Sequence, residues 1–211
     1  MTRTRIKICG LTREQDVDEA IAAGADALGF VLYERSPRHV SLRRAEVLIG
    51  RLPPFVTPVL LFVNAKPEVL GRATQSLPHA VLQFHGDETQ AECQAAARPW
   101  LRAVRMTPEL DLLDFALRFH AAQALLLDAD VDGYGGGGKV FDWSQIPPSV
   151  PLPVVLSGGL SPANVTEGVV RVRPWAVDVS SGVEVSKGIK SAALMRRFCQ
   201  AVREADAAIA A

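Results

Sequence analysis

One pattern limits the fold more than any other. Short apolar runs, each followed by a stretch of helical character, succeed one another along the whole chain. The runs are residues 6–9, 27–32, 58–63, 80–84, 101–104, 124–128, 154–157 and 176–179. Many are unbroken Val, Leu, Ile and Ala rather than alternating apolar and polar. That is the look of strands buried on both faces of a parallel sheet with helices outside it. No hairpin signal joins one run to the next. Eight β-then-α units in succession favour a closed (β/α)₈ barrel over a doubly wound sheet. At 211 residues the barrel is compact, and no linker or shift in composition divides it. The expectation is a single-domain α/β TIM barrel over residues 1–211.

Several helix starts are marked. Thr12-Arg13-Glu14-Gln15 has capping-box spacing ahead of an apolar helical stretch, and Asp87-Glu88-Thr89-Gln90 repeats it. Pro67 can open a helix at its first position, and Thr107-Pro108 and Ser161-Pro162 read as a cap followed by proline. The last helix carries Leu194, Phe198, Ala201 and Val202 on one stripe. The sixth unit departs from the pattern. A long Gly-rich loop from Asp130 to Lys139 leaves room only for a short helix at Asp142-Trp143-Ser144-Gln145-Ile146 before Pro147-Pro148.

Charge narrows the partners. Lys plus Arg and Asp plus Glu both total 23, so bulk charge holds neither nucleic acid nor a membrane surface. Small anions are a separate case, because backbone donors bind them without net charge. Cys9, Cys93 and Cys199 form no disulfide framework and no zinc spacing. The N-terminal segment passes straight into a strand pattern, and no run reaches transmembrane length. A reducing, cytoplasmic location is expected.

In such a barrel, chemistry sits at the C-terminal ends of the strands. Cys9 ends the first run beside Gly10 and close to a helix start, where a thiol can be both exposed and activated. Cys93 and Cys199 lie in helical stretches and read as packing. Asp128 ends the sixth run and is followed by glycines rather than by a helix it could cap. A carboxyl partly withdrawn from water can act as a general acid near neutral pH.

Two Gly-rich seats follow the last two runs, Ser157-Gly158-Gly159-Leu160 and Ser180-Ser181-Gly182-Val183. Exposed backbone N–H groups there suit phosphate. Residues 135–139 superficially resemble a phosphate loop, but Val140 follows Lys139 where Ser or Thr is required, so an ATP site is rejected. Arg38, stiffened by Pro37, offers a fork for a carboxylate. His85 could be an acid, a phosphate contact or a structural hydrogen-bonder, and no proton-transfer role is assigned to it. Lys7 shares strand parity with Cys9, points inward and needs a carboxylate; Asp178 on the closing strand is the expected partner.

These segments resemble the phosphoribosylanthranilate isomerase family. The resemblance rests on Lys7-Ile8-Cys9-Gly10-Leu11-Thr12, residues 24–30, Ser36-Pro37-Arg38, Leu61-Phe62-Val63-Asn64, Gln83-Phe84-His85-Gly86, Phe141-Asp142-Trp143, Ser157-Gly158-Gly159-Leu160 and residues 178–184, in family order. It implies an Amadori rearrangement in tryptophan biosynthesis, converting N-(5-phosphoribosyl)anthranilate to 1-(2-carboxyphenylamino)-1-deoxyribulose 5-phosphate. It implies no metal, no organic cofactor and a small phosphosugar as the binding partner. Family roles fall on Cys9 as general base, Asp128 as general acid, Arg38 for the anthranilate carboxylate, and Gly158, Gly159, Ser181 and Gly182 for phosphate. His85, Lys7 and Asp178 stand as support. Family members occur as monomers and as homodimers, with a lean here to monomer.

The chain departs from the family pattern in its all-glycine stretch 135–138, expected to be more mobile, and in Phe84 where Leu is commoner. Rival readings are a bifunctional histidine- and tryptophan-pathway isomerase, which generally uses two aspartates, and indole-glycerol phosphate synthase, which has a lysine acid and an extra N-terminal helix. A non-catalytic phosphosugar-binding barrel is a third.

Overall fold

A computed structural model of the chain describes residues 3–129 and 140–210. Eight parallel strands close into a barrel in sequence order. They are β1 Arg5–Cys9, β2 Ala27–Val31, β3 Thr57–Phe62, β4 Val81–Phe84, β5 Trp100–Met106, β6 Ala124–Ala129, β7 Val154–Leu156 and β8 Ala176–Val179. Closure is made by β1 on β8, with Lys7 in register with Asp178. The helices are α1 Glu14–Ala23, α2 Leu42–Ile49, α3 Pro67–Ser76, α4 Gln90–Ala95, α5 Leu112–Arg118, α6 Val165–Val172 and α7 Ala192–Ala210. Among the described residues of the sixth unit a 3₁₀ turn, Trp143–Gln145, stands in place of a helix.

Burial on both strand faces explains the unbroken apolar runs. Ile6, Ile8, Leu125, Leu127 and Val177 pack outward against the helices. Val59, Leu101, Ala103, Ala124, Leu126, Val155 and Ala176 fill the barrel interior. Above that layer Cys9, Val31, Leu61 and Val63 form a second interior cluster with Tyr33 against it. The parity of each strand thus decides which end-of-strand side chain faces the mouth.

Several helix starts differ from the expected ones. The residue before α1 is Arg13, which makes no side-chain cap; the Thr12 hydroxyl instead donates to the Gly188 carbonyl at 2.6 Å. Thr89, not Asp87, caps α4, in a reciprocal box with Glu92. α5 starts beyond Thr107-Pro108 because Asp111 accepts from two backbone N–H groups, Leu113 at 2.9 Å and Asp114 at 3.0 Å. Ser161-Pro162 opens a turn rather than the helix: the Ser161 hydroxyl accepts from Ala163, and α6 begins at Val165. Pro67 does occupy the first turn of α3. The buried stripe of α7 is Met195, Phe198, Cys199, Val202 and Ala205, so Leu194 and Ala201 lie at its edge.

One element had no counterpart in the sequence reading. After β8 and a 3₁₀ turn at Ser181–Val183, strands β9 Glu184–Ser186 and β10 Ile189–Lys190 pair antiparallel. Gly188, at φ 79°, turns this hairpin.

Candidate active site

Strand parity brings the expected groups to one end of the barrel. Cys9, His85 and Asp128 share the interior-facing parity of β1, β4 and β6, whereas their neighbours Ile8, Phe84 and Leu127 face the helices. All three are buried.

The β1 side is a lattice of charges. Lys7 Nζ sits 2.7 Å from Asp178 Oδ1, and the Ser157 hydroxyl donates to Asp178 Oδ2 at 3.2 Å. The expected Lys7–Asp178 pairing is therefore present. Cys9 is 5% exposed, which corrects the expectation of an exposed thiol. Burial dominates and leaves the Cys9 thiol raised; Lys7 and Lys190 pull it down in part, and Asp178 adds to the rise. Nearby lysines, rather than the start of α1, supply the positive field.

Arg38 is buried, not a solvated loop charge. Its Nε and Nη2 donate to the two oxygens of Glu184 at 2.8 and 2.7 Å. Its aliphatic stem lies over Gly10; a Cβ there would come within 2.5 Å of Arg38 Cδ. The arginine fork expected to meet a carboxylate is thus held in plane by one supplied by β9. Lys190 Nζ completes the lattice, donating to Glu184 Oε1 at 2.9 Å, the Ser180 carbonyl at 3.0 Å and the Ser180 hydroxyl at 3.3 Å.

The β4–β6 side is sparser. His85 Nε2 lies 3.2 Å from Asp128 Oδ2, and Gln83 Nε2 lies 3.0 Å from His85 Nδ1. With the Gln83 amide donating to Nδ1, the ring proton sits on Nε2 and points at Asp128. Asp128 Oδ1 accepts from its neighbour's N–H, Ala129, at 3.0 Å. Gln83 Oε1 is buried without a hydrogen-bond partner among the described residues. Residues 130–139, which include Asp130, Asp132 and the glycines 135–138, lie outside the described residues.

The two glycine seats adjoin each other. Gly158 and Gly159 have φ of 74° and 67°, and a Cβ at Gly158 would come within 2.5 Å of Ala129 N at the end of β6. A Cβ at Gly182 would collide with the Leu160 carbonyl, so Ser181-Gly182 packs directly on the loop after β7. Only glycine allows these close approaches. Cys93 and Cys199 are packing residues, with burial raising their thiols to about 12 and about 11. No group of His, Cys, Asp or Glu that could hold a metal ion occurs among the described residues.

Sequence reasoning missed the part played by Glu184, Lys190 and Gln83. Glu184 closes the family-like segment 178–184 without a role drawn from it, and Lys190 left only a short polar–apolar alternation beyond Lys187-Gly188.

A closed parallel barrel with polar side chains of several strands gathered at their C-terminal ends has the architecture of the (β/α)₈ enzymes. Comparison narrows this class. The family model described as N-(5'phosphoribosyl)anthranilate (PRA) isomerase matches residues 6–201. The chain belongs to that isomerase family, which confirms the resemblance drawn from its motifs. The N-(5'-phosphoribosyl)anthranilate isomerase of Leptothrix cholodnii is 71% identical over 205 residues, covering 97% of this chain and 93% of that protein. The crystal structure of the Thermotoga maritima phosphoribosyl anthranilate isomerase superposes with a TM-score of 0.88 at 39% identity, covering 95% of this chain and 99% of that one. A further isomerase structure, in complex with reduced 1-(o-carboxyphenylamino)-1-deoxyribulose 5-phosphate, matches with a TM-score of 0.85 at 36% identity, with the same coverage.

Proposed function

We propose that this chain converts N-(5-phosphoribosyl)anthranilate to 1-(2-carboxyphenylamino)-1-deoxyribulose 5-phosphate, with Cys9 as general base and Asp128 as general acid. The observation that carries the role assignment is the meeting of strand ends. A thiol from β1 and a carboxyl from β6 face one mouth, beside two abutting glycine seats. In the relative solved with a reduced product analogue, the bound molecule has the same chemical parts: a carboxyphenyl amine, an opened sugar and a phosphate.

The proton movements follow from the roles. Asp128, in its acid form, donates to the furanose ring oxygen, and the ring opens to an iminium. The cationic nitrogen acidifies the hydrogen on C2. The Cys9 thiolate removes that hydrogen, giving an enolamine. The enolamine then tautomerises, C1 gaining a proton and the C2 hydroxyl losing one. Gly158, Gly159, Ser181 and Gly182 seat the phosphate through main-chain N–H groups. Arg38 meets the anthranilate carboxylate through the edge of its guanidinium that Glu184 leaves open. His85, with Gln83 behind it, orients Asp128. Lys7 and Asp178 brace the base from below. No helix among the described residues is long and apolar enough to cross a membrane, and a cytoplasmic location belongs to this reading.

The deciding assay couples anthranilate and phosphoribosyl pyrophosphate through the preceding transferase and follows the loss of aminosugar fluorescence. Wild type should turn over, and Cys9→Ala should lose at least ~10²-fold, the usual worth of a positioned base. Near-normal turnover by purified Cys9→Ala overturns the base assignment. Arg38→Lys, which loses the fork but keeps the charge, should raise KM about tenfold with kcat little changed, the worth of one charge-assisted hydrogen bond. An unchanged KM removes Arg38 from carboxylate binding.

A further inference from the structure

Lys190 has no role in the assignments above, yet its side chain is 0% exposed and its three N–H bonds meet three acceptors. That is the valence of an ammonium, not of a neutral amine used once. A charge this deep is costly, and its pairing with Glu184 offsets part of that cost. Its position suggests a role. The Ser180 hydroxyl that it contacts lies against Gly10: a Cβ at Gly10 would come 3.2 Å from Ser180 Oγ and 2.5 Å from Arg38 Cδ. The residue after the thiol is thus gripped between the partner of Lys190 and the stem of Arg38.

Resting on the reading of Cys9 as base, we propose that Lys190, carried by the β9–β10 hairpin and clamped by Glu184, is a positioning residue that favours the thiolate of Cys9 against the burial that opposes it. Charge bookkeeping supports this. Around the sulfur stand Lys7 from β1, Lys190 from β10, Arg38 from the loop after β2 and Asp178 from β8, with Glu184 of β9 bound to Arg38 and Lys190. Three cations face two carboxylates, and an ionised Cys9 closes the balance. The apolar neighbours Val31, Leu61 and Val63 contribute no charge, and the Tyr33 hydroxyl is the other titratable group packed on this cluster. Farther off, Asp16 accepts from the Lys190 backbone N–H at 3.1 Å, and Asp128 with His85 occupies the opposite strands. Burial lowers the pKa of Lys190 and Glu184 opposes that shift, while the Ser180 carbonyl and hydroxyl remain as acceptors of the amine when Glu184 is replaced. The same carboxylate fixes Arg38, which couples the substrate fork to the field on the base.

The test is an ultraviolet titration of the Cys9 thiolate in the ligand-free full chain, with Cys9→Ala subtracted as the blank for the other two thiols. Lys190→Met should move the titration up by about one pH unit, leaving ~10-fold less thiolate at a fixed pH below the midpoint. Lys190→Arg should restore most of the wild-type midpoint. Glu184→Gln removes a negative charge from the same cluster and should move the midpoint down. Opposite signs are the signature, because loosened packing would not produce them. An unchanged midpoint in Glu184→Gln, or an upward one, overturns the proposal, and that variant decides alone if Lys190→Met does not fold. The kcat–pH profile then separates the two claims. If the thiol titrations shift as expected while Cys9→Ala retains turnover, the base assignment fails and the electrostatic role of Lys190 stands.

Discussion

The two halves of the mouth are built on different principles. On the β1–β8 side every charged group has a charged partner: Lys7 with Asp178, Arg38 with Glu184, Lys190 with Glu184. On the β4–β6 side a neutral amide, an imidazole and a carboxylate form a single file, and one buried acceptor, Gln83 Oε1, has no hydrogen-bond partner among the described residues. A base that must begin its step ionised is best served by a rigid lattice of fixed charges. An acid that must begin its step protonated is better served by a few neutral neighbours that can exchange donor and acceptor roles. The contrast matches the two tasks proposed for Cys9 and Asp128.

The comparison can be broken most forcefully through stability. Asp178→Ala leaves Lys7 buried without its counter-ion and should cost ~3–5 kcal/mol by urea unfolding, with much of that regained when Lys7→Met is added. A loss below about 1 kcal/mol would mean that the lattice is not structural. The next effect is on turnover. Asp128→Ala should lower kcat at least ~10²-fold while circular dichroism and melting stay close to wild type, since among the described residues the carboxylate meets only His85 and its neighbour's N–H. A melted protein, rather than an inactive folded one, would erase the distinction between the two sides.

Acid sensitivity sharpens it further. The pKa of Glu184 is lowered, because Arg38 and Lys190 outweigh its burial. Its stabilising contribution is therefore complete above the ordinary glutamate range and disappears as pH falls through the depressed folded value. Glu184→Gln should flatten this acid limb in a series of unfolding curves; an unaltered limb would show that the pair adds nothing. The smallest change is expected opposite. Gln83→Leu removes one hydrogen bond together with the unpartnered acceptor and should shift stability by no more than about 1 kcal/mol. A penalty as large as that of Asp178→Ala would make the halves alike after all.

The barrel was readable because each strand is buried on both faces, so short unbroken apolar runs stood apart from the helical stretches between them. Parity carried the reading into the site. The inward phase of Lys7 and Cys9, and of Asp178 on the closing strand, located a real ion pair. Most of what escaped lies outside the eight barrel strands, where no parity applies. Thr12 looked like a cap until Gly188 offered its carbonyl. Arg38 looked like an open fork until Glu184 closed on it. Lys190 stands in a two-residue strand too short to leave a periodic trace, and its importance comes wholly from being sealed against Ser180 and Glu184. Propensity describes a segment on its own; the first two assignments belong to pairs of segments 176 and 146 residues apart, and the third to a hairpin folding back on residues 10 and 6 positions earlier.

The hairpin after β8 also bears on how the molecule matures. Its Gly188 and Lys190 reach back to Thr12 and Asp16 across 176 and 174 residues, and Asp178 reaches Lys7 across 171. Loops that long close late, after local units have formed. During synthesis the nascent β1 therefore carries its thiol in an ordinary aqueous setting, chemically unremarkable, for as long as the remaining units take to appear. Reactivity would switch on as the final act of assembly, when the two ends of the polypeptide knit together.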